Sequence, residues 1–374
     1  SYLTEGYKST GNNQTTGQNP TVHKGFSPYP AYVNKALKVG IRFFRQEGFS
    51  LNEETWVRDI REKRAAYGIS QQKLALAAGI TRPYLSDIET GKAHPSKALQ
   101  EAITEALERF NPDAPLEMLF DYVRIRFPTT DVQQVVENIL QLKLSYFLHE
   151  DYGFYSYSEH YALGDIFVLC SHELDKGVLV ELKGRGCRQF ESYLLAQQRS
   201  WYEFFMDVLV AGGVMKRLDL AINDKTGILN IPVLTEKCQQ EECISVFRSF
   251  KSYRSGELVR KEEKECMGNT LYIGSLQSEV YFCIYEKDYE QYKKNDIPIE
   301  DAEVKNRFEI RLKNERAYYA VRDLLVYDNP EHTAFKIINR YIRFVDKDDS
   351  KARSDWKLNE EWAWFIGNNR ERLK

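Results

Sequence analysis

The sequence predicts an α+β protein: an all-α N-terminal module, then an antiparallel sheet with flanking helices. From Asn52 to about Phe110 apolar residues recur at helical spacing. In the second half RLDLAIND (Arg217–Asp224), VYFCIYEK (Val280–Lys287) and RFEIRLK (Arg307–Lys313) alternate with the period of a strand. Strands that alternate, instead of running apolar throughout, belong to antiparallel sheets with one face covered. With 374 residues, 43% of them hydrophobic and 13% aromatic, the chain is long enough for two domains with real cores. A net charge of −3 excludes a globally basic nucleic-acid binder, though not a local basic patch. No secretory signal and no membrane-length apolar run is present. Cys170, Cys187, Cys238, Cys243, Cys266 and Cys283 form no C-x-x-C pair, as expected of a reduced cytoplasmic protein.

Residues 1–50 form a polar N-terminal extension, rich in Asn, Gln, Thr, Gly and Ser at its start, with Ile41, Phe43 and Phe44 available to pack on a later domain. Residues 51–110 form the helical domain, with five short helices expected over 55–105. RFNPDAP (Arg109–Pro115), with its two prolines, reads as the boundary. The third segment, 111–374, opens with a strand at Met118–Phe127. A helix over roughly Asp131–Leu142, strands near 165–170 and 177–183, and one long amphipathic helix over Tyr193–Val210 follow. Trp201, Phe204, Phe205 and Val208 on that helix read as core. Trp356, Trp362 and Trp364 fit a packed C-terminal helix better than a base-stacking surface. Glu262–Glu265 reads as a solvated turn.

The informative part of the helical domain is ISQQKLALAAGITRPYLSDIETGK, Ile69–Lys92. Ser70 is a good N-cap for a helix that turns Leu74 and Ala75 inward. Gly79 supplies a sharp turn, and Ile80 plugs the gap. Thr81 caps a second helix, with Pro83 in its first turn, where a missing N–H costs little. Leu85 and Ile88 face the core, which leaves Arg82, Tyr84 and Ser86 at the exposed start. This is a helix-turn-helix, whose second helix enters the major groove by its N-terminal residues. The segment resembles the phage-repressor (XRE-like) helix-turn-helix family over about fifty residues. Gln71, Arg82, Tyr84 and Ser86 are the expected base or phosphate contacts and Lys92 a backbone contact. A bundle serving only as spacer or docking unit is the alternative.

On the sheet, Leu218, Leu220 and Ile222 point one way and Arg217, Asp219 and Asn223 the other. Phe308, Ile310 and Leu312 oppose Arg307, Glu309, Arg311 and Lys313. Lone carboxylates on central strands are costly unless paired or metal-bound. Asp219 and Glu309 are therefore candidate ligands of a hard divalent cation, Mg²⁺ or Mn²⁺. An internal salt-bridge network, such as Asp219 with Arg311, would also satisfy them. Between the strands lies SFKSYRSGE (Ser249–Glu257), a polar loop with Tyr253 flanked by Lys251 and Arg254. An unaided tyrosine oxygen is a poor nucleophile; neighbouring cations and a metal can help it attack a phosphodiester.

RLDLAIND, FKSYRSGE, TLYIGSLQSEVYFCIYEK and NRFEIRLKNERA, in this order and with GRGCRQFE at 184–191, resemble the Rep_trans group over roughly residues 116–330. That group contains rolling-circle plasmid replication initiators and the MobT-type relaxases of Gram-positive integrative and conjugative elements. A helix-turn-helix ahead of the sheet is similar to the MobT arrangement. The resemblance implies a cytoplasmic, metal-dependent DNA strand transferase that nicks and rejoins one strand at a transfer origin through a 5′-phosphotyrosyl intermediate. Carried over by position, Tyr253 is the nucleophile, and Asp219 and Glu309 hold the metal. Arg217, Lys287 and Arg311 neutralise charge on the phosphate, and Tyr285, on the same strand face as Lys287, orients the substrate. Tyr272, in TLYIGS, is the rival nucleophile. Glu286, Asp224 or a histidine are the possible third ligands, since no H-x-H cluster exists. No G-x-x-x-x-G-K-[ST] loop is present, so no nucleotide cofactor is expected and a separate host helicase and coupling protein are the implied partners. The alternatives are a plasmid replication initiator with the same chemistry and a non-catalytic XRE-type regulator that binds duplex without cutting.

Overall fold

The protein is described from a computed structural model that covers residues 51–108, 110–111, 114–173, 176–256, 266–367 and 371–373. The polar extension with Ile41, Phe43 and Phe44, the boundary residues Arg109, Pro112 and Asp113, and Glu262–Glu265 lie outside the described residues.

The N-terminal module has four described helices in place of the five expected: α1 (Leu51–Ala66), α2 (Gln71–Ala77), α3 (Arg82–Glu89) and α4 (Lys97–Glu108). Ser70 caps α2 by accepting the Lys73 N–H, and Thr81 caps α3 by accepting that of Tyr84. Gly79 has φ +66°, the left-handed conformation that makes the turn between them possible. Leu74, Ala75, Leu85 and Ile88 close a core of their own with Ile60, Ile103 and Leu107. Under this core Glu89 is buried and gripped by Arg64, through Nε at 2.6 Å and Nη2 at 2.9 Å. The module leans on the rest of the chain: Gln72 donates to the Leu195 carbonyl at 3.0 Å and Asn329 to Glu105 at 2.6 Å.

The second part begins with strand β1 (Leu116–Phe127) and a short helical turn at Val132–Ile139 whose second half has π geometry, where an ordinary helix was expected. Then come β2 (Leu148–Glu150), β3 (Glu159–Leu163), β4 (Ile166–Cys170) and β5 (Val178–Lys183). The expected long helix over Tyr193–Val210 is instead two helices, α5 (Arg185–Ala196) and α6 (Trp201–Val210). Gln198 takes φ +57° between them, and Ser200 with Glu203 forms a reciprocal capping box that starts α6 anew. After it come β6 (Val214–Asp224), α7 (Ile231–Gln239), β7 (Cys243–Ser245), β8 (Phe250–Gly256), β9 (Cys266–Ile273) and β10 (Val280–Glu286). The chain ends with α8 (Lys287–Asn295), β11 (Asn306–Lys313), α9 (Asn314–Tyr327), α10 (Pro330–Tyr341), β12 (Ile342–Asp346), β13 (Lys357–Leu358) and α11 (Glu360–Phe365).

Ten strands form one sheet in the order β2-β3-β4-β5-β1-β6-β11-β10-β9-β8, every neighbouring pair antiparallel. Strands β13-β12-β7 make a small second sheet. One face of the large sheet is apolar: Val123, Ile125, Leu218, Leu220, Phe282, Phe308 and Ile310 are buried with Phe204 and Phe205 of α6, Val321 of α9 and Trp362 of α11. Trp362 is thus core, as expected, while Trp364 faces outward. With α6, α9 and α11 on that side, the sheet turns the charged residues of β6 and β11 to the opposite face. No helix among the described residues is long and apolar enough to cross a membrane.

Candidate active site

The central strand β11 lies between β6 and β10, and its register brings the charged residues into rows across the sheet. Arg311 is opposite Asp219 on one side and Tyr281 on the other; Tyr122 of β1 follows Asp219. Glu309 is opposite Cys283, whose own neighbour on β9 is Tyr272. A third row runs from Tyr253 on β8 through Thr270 and Tyr285 to Arg307 and Asn223.

Both expected carboxylates are buried, and each is held by the arginine two residues away on its own strand. Arg217 donates to Asp219 through Nε at 2.9 Å and Nη2 at 2.6 Å. Arg311 donates to Glu309 through Nε at 2.9 Å and Nη2 at 2.5 Å, with its Nε also 3.9 Å from Asp219. Arg311 therefore bridges the two acids. Tyr285 closes the cluster by donating to Glu309 at 2.8 Å, and burial next to that carboxylate pushes its hydroxyl pKa up. Burial also pushes the Asp219 carboxyl up to about 6, against the pull of Arg217 and Arg311. The salt-bridge network anticipated as an alternative is present. Two guanidinium groups thus attend Asp219, and burial still outweighs their pull.

A cleft of about 760 Å³ opens over this face, with Arg307, Glu309, Arg311 and Tyr272 among its walls. Arg185 and Arg188 at the start of α5 and Lys293 and Lys294 on α8 give it a basic rim. Lys287 departs from expectation. It is the first residue of α8 rather than the last of the strand, and it pairs with Glu290. Its Nζ still sits 5.5 Å from the Tyr285 ring centroid. Tyr253 departs too: its segment is an edge strand, not a loop. Its ring is 55% exposed and meets Tyr272 edge-on at 5.9 Å. Tyr272 is half-buried beside Cys283, and burial raises its hydroxyl pKa to about 12.

Neither named candidate for a third metal ligand points into the cluster. Asp224 turns to the apolar side and accepts the N–H groups of residues 226–229 and the Asn306 amide. Glu286 accepts both the backbone and side-chain N–H groups of Asn269. Among the described residues the one His/Asp/Glu group with metal-ligand spacing is His149, Asp151 and Glu159. It lies at the β2–β3 edge, with β4, β5 and β1 between it and Asp219's strand. Two carboxylates alone suit Mg²⁺ or Mn²⁺, which complete their shell with water and substrate phosphate oxygens. The oxygen-donor chemistry of Asp219 and Glu309 therefore fits such an ion.

Residues missed in the sequence complete the cluster. Arg307 donates to Asn223 at 2.8 Å and to Asp121 at 3.2 Å. Asp121 reaches it because β1 shifts register between Phe120 and Tyr122. Only the register discloses these partners; the phase of Arg307 with Glu309 and Arg311 was the available signal. In the helical module Arg82 and Lys92 are exposed, and Tyr84 and Ser86 are half-exposed at the start of α3. Gln71 is engaged internally, donating to Glu89 at 2.8 Å.

A ten-stranded antiparallel sheet whose open face carries buried carboxylates, arginines and tyrosines, preceded by a helix-turn-helix, suits a protein that works on DNA phosphates. The "Replication initiation factor" profile matches residues 213–374, that of the "Rolling Circle replication initiation protein N-terminal domain" residues 117–207, and a helix-turn-helix profile residues 60–109. A putative DNA relaxase NicK of Bacillus subtilis (strain 168) is 43% identical over 257 residues, covering 68% of this chain and 72% of that protein. The structure of a rolling circle replication initiator protein from Geobacillus stearothermophilus superposes with a TM-score of 0.58 at 27% identity, over 69% of this chain and 98% of that one. The chain belongs to the replication initiation factor family.

Proposed function

We propose that the chain is a DNA relaxase that nicks one strand at a specific site and rejoins it through a tyrosine. Family membership supports the nicking and closing activity. The observation that carries the chemical reading is the row that links exposed Tyr253, through Tyr285, to Arg307 on the face that holds Asp219 and Glu309. The Tyr253 oxygen attacks phosphorus and the bond to the 3′ oxygen breaks. The phenol loses a proton, and the leaving 3′ oxygen gains one to become a free 3′-OH. Reversal by a free 3′-OH reseals the strand, so bond energy is conserved and no nucleotide is consumed.

Arg311 and Arg217 offer guanidinium charge to the phosphate oxygens as negative charge builds on them. Tyr285, kept protonated by burial beside Glu309, orients that carboxylate. Asp219 and Glu309 would hold a Mg²⁺ or Mn²⁺ ion, which when bound polarises the scissile phosphate. Lys287 acts from the start of α8 as part of the basic wall. Residues 51–110, as a separate domain, would bind duplex flanking the nick site through Arg82, Tyr84, Ser86 and Lys92, with Gln71 bracing the module from within. This domain favours action at the transfer origin of a conjugative element over plasmid replication. Strand separation then falls to a host helicase, with a coupling protein receiving the nicked strand, in a cytoplasmic setting.

Incubating the chain with single-stranded origin DNA and Mn²⁺ should give a covalent adduct that survives denaturation. The adduct should be absent from Tyr253→Phe and retained in Tyr272→Phe. The reverse pattern would move the nucleophile to Tyr272, which lies one row nearer Glu309.

A further inference from the structure

The charged face does not end at Asp219. Across β1 and β5 it continues as an alternating stack of guanidinium groups and rings. Arg217 lies 4.0 Å from the Tyr122 ring centroid, Arg124 lies 5.3 Å from the same centroid, and Arg124 is also 4.3 Å from the ring of Tyr155. Lys183 stands 5.9 Å from both rings. Beneath them Glu181 is buried and accepts from Tyr122, Arg124 and Lys183, so one carboxylate meets two cations.

Tyr155 comes from the loop between β2 and β3, residues 151–158, which folds back over this face. The loop is built to hold one shape. Tyr155 and Ser156 both take positive φ, +57° and +65°, a costly conformation for a ring-bearing residue. A Cβ at Gly153 would lie 2.4 Å from the Tyr157 carbonyl oxygen, so only glycine lets the loop close. Lys176 donates to the Ser156 carbonyl at 3.0 Å, Tyr157 to that of Lys176 at 3.0 Å, and the Ser158 N–H to that of Cys170 at 3.2 Å. The result is three rings at the surface: Tyr152 is 57% exposed, Phe154 45% and Tyr155 51%. Tyr152 and Phe154 rest on buried His160, at 5.0 and 5.3 Å between centroids. Backbone strain and tight fastening spent on displaying aromatic rings, beside two cations that share one carboxylate, do not serve the core.

We propose that this loop and the Arg124–Lys183 pair form a stacking platform for single-stranded DNA, continuous with the charged face and carrying bases several nucleotides along the strand from the phosphate that Tyr253 attacks. The proposal rests on the relaxase reading. Its occupant follows from chemistry: exposed rings take unpaired bases without sequence preference, and flanking cations take the phosphates between them. Duplex offers no free base faces, so the platform selects strands already opened. Asp219 and Lys183 are separated by two strand spacings, roughly 10 Å, close enough for one strand to touch both.

The test uses the full chain carrying Tyr253→Phe, without metal, so that binding is read apart from chemistry. Anisotropy of a labelled single-stranded oligonucleotide should show Tyr155→Ala binding roughly five- to hundredfold more weakly. Tyr155→Phe, which keeps the ring and loses only the hydroxyl, should bind like its parent, and Tyr152→Ala should weaken binding independently. Affinity for origin duplex should stay within twofold in all three. Single-strand affinity unchanged in both Tyr155→Ala and Tyr152→Ala overturns the platform and leaves the relaxase reading standing. Failure of the parent itself to bind any single strand overturns both.

Discussion

The two halves of the charged face use the same parts in different proportions. On β5 and β1 a single buried carboxylate, Glu181, is met by Tyr122, Arg124 and Lys183. Burial acts to raise its pKa, yet these donors hold it below the ordinary carboxylate value. On β6 and β11 two buried carboxylates share the reach of two arginines, and burial wins at Asp219, whose carboxyl is pushed up to about 6. The first half is a satisfied ion cluster with cation to spare. The second is charge-balanced on paper but short of stabilisation, which is the condition a metal ion would relieve. A buried salt bridge by itself therefore says little about function; the local surplus or deficit of compensation does.

The sharpest way to break this contrast is to remove Arg311. Arg311→Ala should lower single-turnover nicking at saturating DNA by about two to three orders of magnitude. It should also destabilise the fold by about 3–5 kcal/mol, because Glu309 loses its ion-pair partner and Asp219 a nearby charge in a buried setting. Denaturant melts and quenched-flow nicking would read both. Lys183→Ala removes a cation from the half that has one to spare, and its saturated nicking rate should fall by less than about threefold (a surface-type pair). Equal damage from the two substitutions would erase the distinction.

Metal dependence gives the next test. Glu309→Gln should raise the Mn²⁺ concentration needed for half-maximal nicking by at least about tenfold, whereas Glu181→Gln should leave it unchanged. Titrating metal against adduct formation separates the two, and a shift of similar size in Glu181→Gln would place the ion elsewhere.

How much of this was legible beforehand follows from which interactions are local. The alternation that put Asp219, Glu309 and Arg311 on one face has a period of two and is written in the strand itself. The caps at Ser70 and Thr81 were equally plain, being three-residue contacts. Ser200 and Glu203 mark the break before α6, but the apolar spacing runs on through it and masks the signal. An edge strand of Lys, Ser, Tyr, Arg and Gly carries no apolar stripe, so the Tyr253 segment looks like a loop in the sequence. Lys287 was assigned to the strand because nothing local marks where α8 takes over. The platform was illegible in principle: Arg124 meets Tyr155 through a loop that folds across three strands, and only the sheet order supplies that contact.

The smallest expected effect sharpens the comparison from the side of stability. Glu181 has a pKa lowered from 4.5 in the folded protein, so the unfolded chain binds its proton more readily than the folded one. Its ion cluster accordingly contributes stability that is present above about pH 4.5 and is lost as pH falls through the lower, folded value. Glu181→Gln removes that titration. Its denaturation midpoint should fall less steeply than the parent's between about pH 5 and pH 3. Near pH 7 the variant should be the less stable one, by about 1–3 kcal/mol, since Arg124 and Lys183 lose their charged acceptor. Chemical denaturation across this range, on protein without metal, gives both slopes. A parent and variant that lose stability in parallel through acid would mean that Glu181 is not held in its charged form by its neighbours, and the two halves of the face would no longer differ in kind.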